Sequence, residues 1–202
     1  GKLAGRRMPG YDARPTTPST PAFPEDLVNA LAQLKSQLLE VDDLHHAADG
    51  TPHAQPDAMS QALLRAARET GIRITLLPVL YMTGGFDGRA LSERQRRFGH
   101  RVDAYLRLHE TLRANAGDTV RIGCALHSLR AVPAAAMGEV LAGLPADARI
   151  HIHVAEQTAE VDECVAVRGA RPVQWLLDNA AVDTRWTLVH ATHLDAAEVQ
   201  GI

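Results

Sequence analysis

Apolar and polar residues alternate over residues 150–154, and this pattern predicts a β-strand with two different faces. Successive side chains of a strand face opposite sides, so the three apolar residues would share one face. His151 and His153 would share the other face, which suits a polar interior better than a packed core. Glu156 comes just past the predicted strand end, where a loop would hold it beside His153.

The same pattern predicts that strands and helices alternate along the chain. Strands are predicted over residues 72–81, 119–126, 149–154 and 185–189. Helices are predicted over residues 25–40, 57–71 and 92–117, with further helices beginning at Pro133, Pro172 and Asp195. Strands alternating with helices favour an α/β fold with a parallel sheet. Four such units are half of a (β/α)8 barrel, so we predict a partial TIM barrel.

Two regions of the chain differ in composition. Residues 1–40 combine a proline-rich lead, which cannot form a regular helix, with the amphipathic helix over residues 25–40. Residues 41–202 carry the strand and helix alternation, and we predict that they form one barrel domain.

Polar residues follow the ends of several predicted strands, where parallel α/β folds gather their ligand chemistry. His153 with Glu156 could serve as a metal ligand and a proton shuttle in a hydrolytic site. The alternative is a strand-end histidine beside an exposed loop glutamate. His190 follows another strand and could hold substrate or water near the metal; the alternative is a hydrogen-bonded core histidine.

Two further groups are candidates for substrate binding. Arg130 follows His127 closely, and its planar guanidinium suits carboxylate recognition, although most arginines form surface salt bridges. His45 and His46 could line the mouth of the site, or they could lie in a solvated turn.

Composition excludes several function classes. The 202 residues are 46% hydrophobic and carry a net charge of −3 without a basic stripe, which argues against nucleic acid as a partner. No apolar run reaches membrane-spanning length and no signal-peptide core is visible, so a cytoplasmic protein is expected. Cys124, in a strand-like run, and Cys164, in a helix-like run, are expected to be free buried thiols.

Several motifs from about residue 44 to residue 202 resemble formimidoylglutamate deiminase, a family of the amidohydrolase superfamily. They are His45-His46 with DGTP, ITLLPVLY, QRRF, HSLRAV, HIHVAEQTAEVDEC, RPVQWLLDNA and LVHATH. The resemblance implies a (β/α)8 barrel with one divalent metal, expected to be zinc, and a possible homodimer. It also implies hydrolysis of N-formimidoyl-L-glutamate to N-formyl-L-glutamate and ammonia in histidine degradation.

The resemblance assigns a role to each matching residue. His153 is similar to the metal ligand on the family's fifth strand, Glu156 to the acid/base carboxylate, and His190 to the catalytic histidine on the sixth strand. His127 and Arg130 match substrate contacts, with Arg130 a candidate for a glutamate carboxylate. Glu156 would carry a proton to the departing amine.

The chain also departs from the family pattern. The only H-x-H here is His151 with His153, whereas the family has such a pair on its first strand, and the family's late-strand aspartate is not present. Because zinc sites need three or more protein ligands, we expect the 202 residues alone to be inactive. Two alternatives follow: another amidohydrolase acting on an amidine or an aminated ring, or a non-catalytic barrel remnant that needs self-association or a partner.

Overall fold

The computed structural model describes residues 46, 47, 49–51 and 54–202. The predicted proline-rich lead, the helix over residues 25–40 and His45 lie outside the described residues. Within the described residues, no helix is long and apolar enough to cross a membrane.

Parallel strands form the centre of the fold. The strands are β1 (Ile74–Leu76), β2 (Val79–Leu80), β3 (Val120–Ile122), β4 (Cys124–Ser128), β5 (Ile150–Val154) and β6 (Trp186–His190). A four-stranded parallel sheet has the order β2-β4-β5-β6, and β1 pairs with β3, also in parallel. The predicted parallel α/β architecture is confirmed.

Helices connect the strands in the expected alternation. They are α1 (Ala58–Thr70), α2 (Val102–Arg113), α3 (Ala134–Gly143), α4 (Thr158–Arg168), α5 (Pro172–Asn179) and α6 (Ala196–Gly201), with a 3₁₀ helix at Glu93–Phe98. The capping boxes at Ser92 and Asp195 are both present. Asp57 precedes α1 as predicted, but its side chain makes no capping hydrogen bond and accepts one from Gln61 Nε2 instead, at 3.2 Å.

Two predicted strands are each interrupted in the middle. Residues 72–81 form β1 and β2, separated by Leu77 and Pro78, and residues 119–126 form β3 and the start of β4, separated by Gly123. The pairing keeps the same offset on both sides, because Ile74 pairs with Val120 and Val79 with Ala125. Pro78 has no N–H to donate to a ladder, which explains why the strand is interrupted there.

The single helix predicted over residues 92–117 is wrong. The chain forms the 3₁₀ helix, leaves helical geometry at Gly99 with φ −68° and ψ 129°, and then begins α2. The amide of His100 donates to Tyr81 O at 2.9 Å, so this break joins the helical layer to the end of β2.

The main core lies between the sheet and the helices. Residues of β5 alternate between buried and half-buried, with Ile150, Ile152 and Val154 buried as predicted. Leu126, Tyr105 and Leu176 belong to the same fully buried set. The half-buried face of β5 carries His151 and His153, so it is the face available for chemistry.

Two arginines tie loops to helices near the strand ends. Arg168, at the end of α4, donates to Leu129 O at 2.5 Å and stacks over Trp175 with 4.0 Å between the guanidinium carbon and the ring centroid. Arg171 donates to Glu198 Oε2 at 2.8 Å and to His193 O at 2.6 Å. The loops that follow β4 and β6 are therefore held from the helical side.

Candidate active site

The carboxyl ends of β5 and β6 bring three predicted site residues together. His153 pairs with Val189 in the parallel ladder, and the rings of His153 and His190 stack with centroids 5.4 Å apart. His190 Nε2 lies 3.7 Å from Glu156 Oε2. The prediction that His153, Glu156 and His190 lie close together at the end of the sheet is confirmed, while their assignment to one site and their chemical roles stay predictions.

The tautomer of His153 follows from its hydrogen bond. Its Nδ1 lies 2.8 Å from His127 O. Because a carbonyl oxygen can only accept, Nδ1 carries the hydrogen and Nε2 keeps a free lone pair when the ring is neutral. Metal-binding histidines are commonly oriented in this way. The ring of His153 is thus oriented so that Nε2 can bind a cation or accept a hydrogen bond.

His127 lies beside His153 and is held neutral. Its ring centroid is 5.2 Å from that of His153 and 4.4 Å from that of Tyr81. Burial, together with smaller electrostatic effects of His153 and Arg130, lowers the pKa of His127 to about 4. His127 can therefore offer a neutral imidazole to a polar substrate at neutral pH.

Arg130 follows β4 with a half-buried side chain. Its carbonyl accepts from Thr83 Oγ1 at 2.9 Å, which fixes the backbone of this turn. Within the described part of the chain, its guanidinium has neither a hydrogen bond nor an ion pair. Since its charge acts on His127, the guanidinium is a cation close to the histidine cluster and open to an anionic group.

Backbone strain is concentrated at these strand ends. Ala155, His190 and Ala191 have φ values of 51°, 68° and 46°, in the left-handed region that residues with a Cβ rarely adopt. The carbonyl of Ala155 accepts from the amides of Thr192 and His193 at 3.1 and 3.0 Å. Such conformations persist where surrounding hydrogen bonds determine them, and they cluster at functional sites.

A residue that the sequence reasoning missed holds the backbone beside Glu156. Glu160 accepts from the amides of Ala155 and Glu156 at 3.1 and 3.0 Å. A glutamate at the third position of α4 was the available signal, because that position often binds preceding amides.

The remaining predicted residue, His46, lies in another cluster. Its ring centroid is 5.2 Å from that of His100, and both rings line a cavity of about 260 Å³ with Asp57 and Arg107. Its predicted substrate contact stays a prediction.

A larger and mostly apolar cavity of about 430 Å³ adjoins His127. Tyr81, Gln95, Phe98 and Leu63 are among its lining residues. Gln95 Nε2 donates to Tyr81 Oη at 2.8 Å, so the polar groups at this wall bond to each other.

Comparisons with known proteins agree with this architecture. No family model matches the chain. Over 159 residues the chain is 51% identical to formimidoylglutamate deiminase of Pseudomonas aeruginosa, a match that covers 77% of this chain and 35% of that protein. The chain therefore spans about a third of the length of this curated relative.

Solved structures show the same fold. An amidohydrolase from Brucella melitensis superposes with a TM-score of 0.76 at 41% identity, covering 87% of this chain and 42% of that chain. Zinc-complexed atrazine chlorohydrolase from Arthrobacter aurescens has a TM-score of 0.64 at 20% identity, covering 87% and 40%. Both the predicted resemblance and the predicted partial amidohydrolase barrel are confirmed.

Proposed function

We propose that this chain contributes the acid/base side of a hydrolytic deiminase site that converts N-formimidoyl-L-glutamate and water into N-formyl-L-glutamate and ammonia. The observation that carries the proposal is the approach of Glu156 to His190 beside an oriented His153, at the carboxyl ends of adjacent parallel strands. The 51% identity to a protein named formimidoylglutamate deiminase supports this choice of substrate.

A divalent metal fits the described residues only in part. His153 presents a free Nε2, as a metal ligand would, and zinc is present in two structural neighbours, the atrazine chlorohydrolase and an adenosine deaminase from Xanthomonas campestris. Among the described residues, however, no three His, Cys, Asp or Glu side chains come together in a group that could hold a metal. The described residues therefore supply one candidate metal ligand, His153, and not a complete metal site.

Glu156 is the proposed proton carrier. Its carboxylate is half exposed and lies at the open end of the sheet, where it can take a proton from the attacking water and deliver it to the departing amine. When water adds to the formimidoyl carbon, that carbon becomes tetrahedral. His190, at the end of β6, would hydrogen-bond the oxygen or nitrogen bound to it. Their 3.7 Å separation lets one small molecule contact both groups.

Arg130 and His127 are proposed to bind the rest of the substrate. A guanidinium without an ion-pair partner in the described structure can form a bidentate pair with a carboxylate of the glutamate moiety. His127, being neutral, adds a hydrogen-bonding group without changing the charge of the pocket.

A second candidate is an amidohydrolase acting on an aminated ring. The mostly apolar cavity beside His127 favours it, because apolar walls suit a flat ring better than a dicarboxylate. The two candidates share Glu156 and His190 but differ in their need for Arg130.

The test measures metal content and ammonia release for the purified 202-residue chain. Zinc would be determined after incubation with excess zinc and removal of unbound metal, and ammonia would be followed with N-formimidoyl-L-glutamate, cytosine and guanine. Near-stoichiometric zinc and release from N-formimidoyl-L-glutamate, lost in Glu156→Gln but kept in Glu163→Gln, would support the proposal. Release from a ring substrate alone would favour the second candidate. Absence of both zinc and release would refute catalysis by this chain and favour a non-catalytic remnant.

A further inference from the structure

The carboxylate of Glu160 binds the two backbone amides that lead into Glu156. Oε1 accepts from Ala155 N at 3.1 Å and Oε2 accepts from Glu156 N at 3.0 Å. Hydrogen bonds to an ionised acceptor are stronger than neutral ones. One half-buried side chain therefore fixes two consecutive peptide groups.

The peptide group between Ala155 and Glu156 is held at both ends. Its N–H donates to Glu160, and its carbonyl oxygen accepts from the amides of Thr192 and His193, which follow β6. This peptide thus links the end of β5 to the segment that carries His190. Ala155 has a φ of 51°, a conformation that needs such support.

Helix capping alone does not account for this arrangement. Gln157 is the N-cap of α4, and Glu160 stands at the third helical position. In a capping box the glutamate at that position binds the amide of the N-cap residue itself. Here it binds the amides one and two residues earlier. Its carboxylate therefore holds the loop between β5 and α4, which carries Glu156.

We propose that Glu160 is a positioning residue, which holds Glu156 against His190 without contacting the substrate. The inference rests on the proposed function, because it gives Glu156 a catalytic role. In Glu160→Gln the shape is kept, but the side-chain NH2 group faces one of the two amides. That amide loses its acceptor, and Ala155 is then free to leave its left-handed conformation.

The experiment compares Glu160→Gln with Glu163→Gln. The second variant removes the same charge from the exposed side of α4, where Glu163 lies 4.0 Å from Arg89. NMR would measure amide hydrogen exchange at residues 155 and 156, together with the NOE between the His190 ring and the side chain of Glu156. We expect exchange about tenfold or more faster and loss of the NOE in Glu160→Gln, and wild-type behaviour in Glu163→Gln. Wild-type exchange and NOE in Glu160→Gln, or equal changes in both variants, would overturn the inference.

Kinetics and a second variant separate positioning from folding. In ammonia release, Glu160→Gln should lower kcat about tenfold and leave KM within about twofold, because substrate contacts remain. Glu160→Asp keeps the charge but cannot reach both amides, so it should show faster exchange at one amide while it unfolds near the wild-type temperature. If the wild-type chain releases no ammonia, catalysis by this chain alone is refuted, and exchange and the NOE alone decide the role of Glu160.

Discussion

Replacing Glu198 by glutamine would test how the end of the sheet is held to its helices. The carboxylate of Glu198 is fully buried and accepts four hydrogen bonds. Its donors are Arg171 Nε at 2.8 Å and the amides of Val173, Gln174 and Asp195 at 3.1, 3.2 and 3.0 Å. This one side chain therefore joins the start of α5 to the start of α6.

The magnitude follows from the donors that glutamine cannot satisfy. The amide oxygen of glutamine can still accept from Val173 and Gln174, but its NH2 group then faces Arg171 Nε and the amide of Asp195. Hydrogen bonds to charged groups contribute about 1.5–3 kcal/mol each. Arg171 is one-third exposed and keeps a 3.2 Å ion pair with Asp195 Oδ2, so the lower end applies. We expect a loss of about 3 kcal/mol, or about 6–12 °C in Tm for a chain of this size.

The pH dependence gives a second readout of the same contact. Burial alone would raise the pKa of Glu198, but the Arg171 guanidinium and the amides of Asp195 and Gln174 hold it below its usual value. A carboxylate with a lowered pKa stabilises the fold above the unfolded-state pKa and loses that contribution as the pH falls through the folded-state pKa. The stability difference between wild type and Glu198→Gln should be full above about pH 5 and shrink at lower pH.

The assay is thermal and urea unfolding followed by circular dichroism between pH 3 and pH 7. Glu139→Gln is the matched control, because Glu139 is exposed on α3 and should change Tm by less than about 2 °C. A loss below about 1 kcal/mol in Glu198→Gln, or a difference that does not depend on pH, would refute the reasoning.

Four further substitutions test other parts of the structure. Arg130→Ala should raise KM for N-formimidoyl-L-glutamate about tenfold or more with kcat little changed in steady-state ammonia release, and unchanged kinetics would contradict its carboxylate role. Gly123→Ala should lower the free energy of unfolding in urea by about 1–3 kcal/mol, because a Cβ there would lie 2.7 Å from Arg149 O. Gly138→Ala, with open space around it in α3, should raise the free energy of unfolding by about 0.5–1 kcal/mol. Arg168→Ala should lower the free energy of unfolding by about 2 kcal/mol through loss of its carbonyl and aromatic contacts, and an unchanged Tm would show that these contacts contribute little.

The sequence was sufficient to predict the parallel sheet and the approach of His153, Glu156 and His190. Alternation over residues 150–154 predicts the two faces of β5 because strand side chains alternate, whatever surrounds them. Parallel strands share one carboxyl edge, and consecutive strands of such a sheet are expected to be neighbours. His153 and His190, at the ends of consecutive predicted strands, were therefore expected to lie close together. These inferences need only local pattern and topology.

Other features depend on contacts that local pattern does not contain. Position 123 has no room for a Cβ because Arg149 O would lie 2.7 Å away, and this close approach is a property of the packed sheet. The bond from Arg168 to Leu129 joins residues 39 apart in the sequence. Glu160 carries a recognisable helix-start signal, but its actual acceptor role follows from the left-handed turn before it, which no periodicity reveals.

The strained turn at Ala155 has a consequence for engineering. Its methyl group touches no proposed substrate, yet any side chain there holds the backbone in a conformation that costs about 1–2 kcal/mol. Glycine at this position would remove that cost but also a fully buried methyl group, so the two effects largely offset each other in Tm while the backbone of the turn gains freedom. A thermostability screen would therefore overlook a change that loosens a turn whose rigidity serves the proposed chemistry.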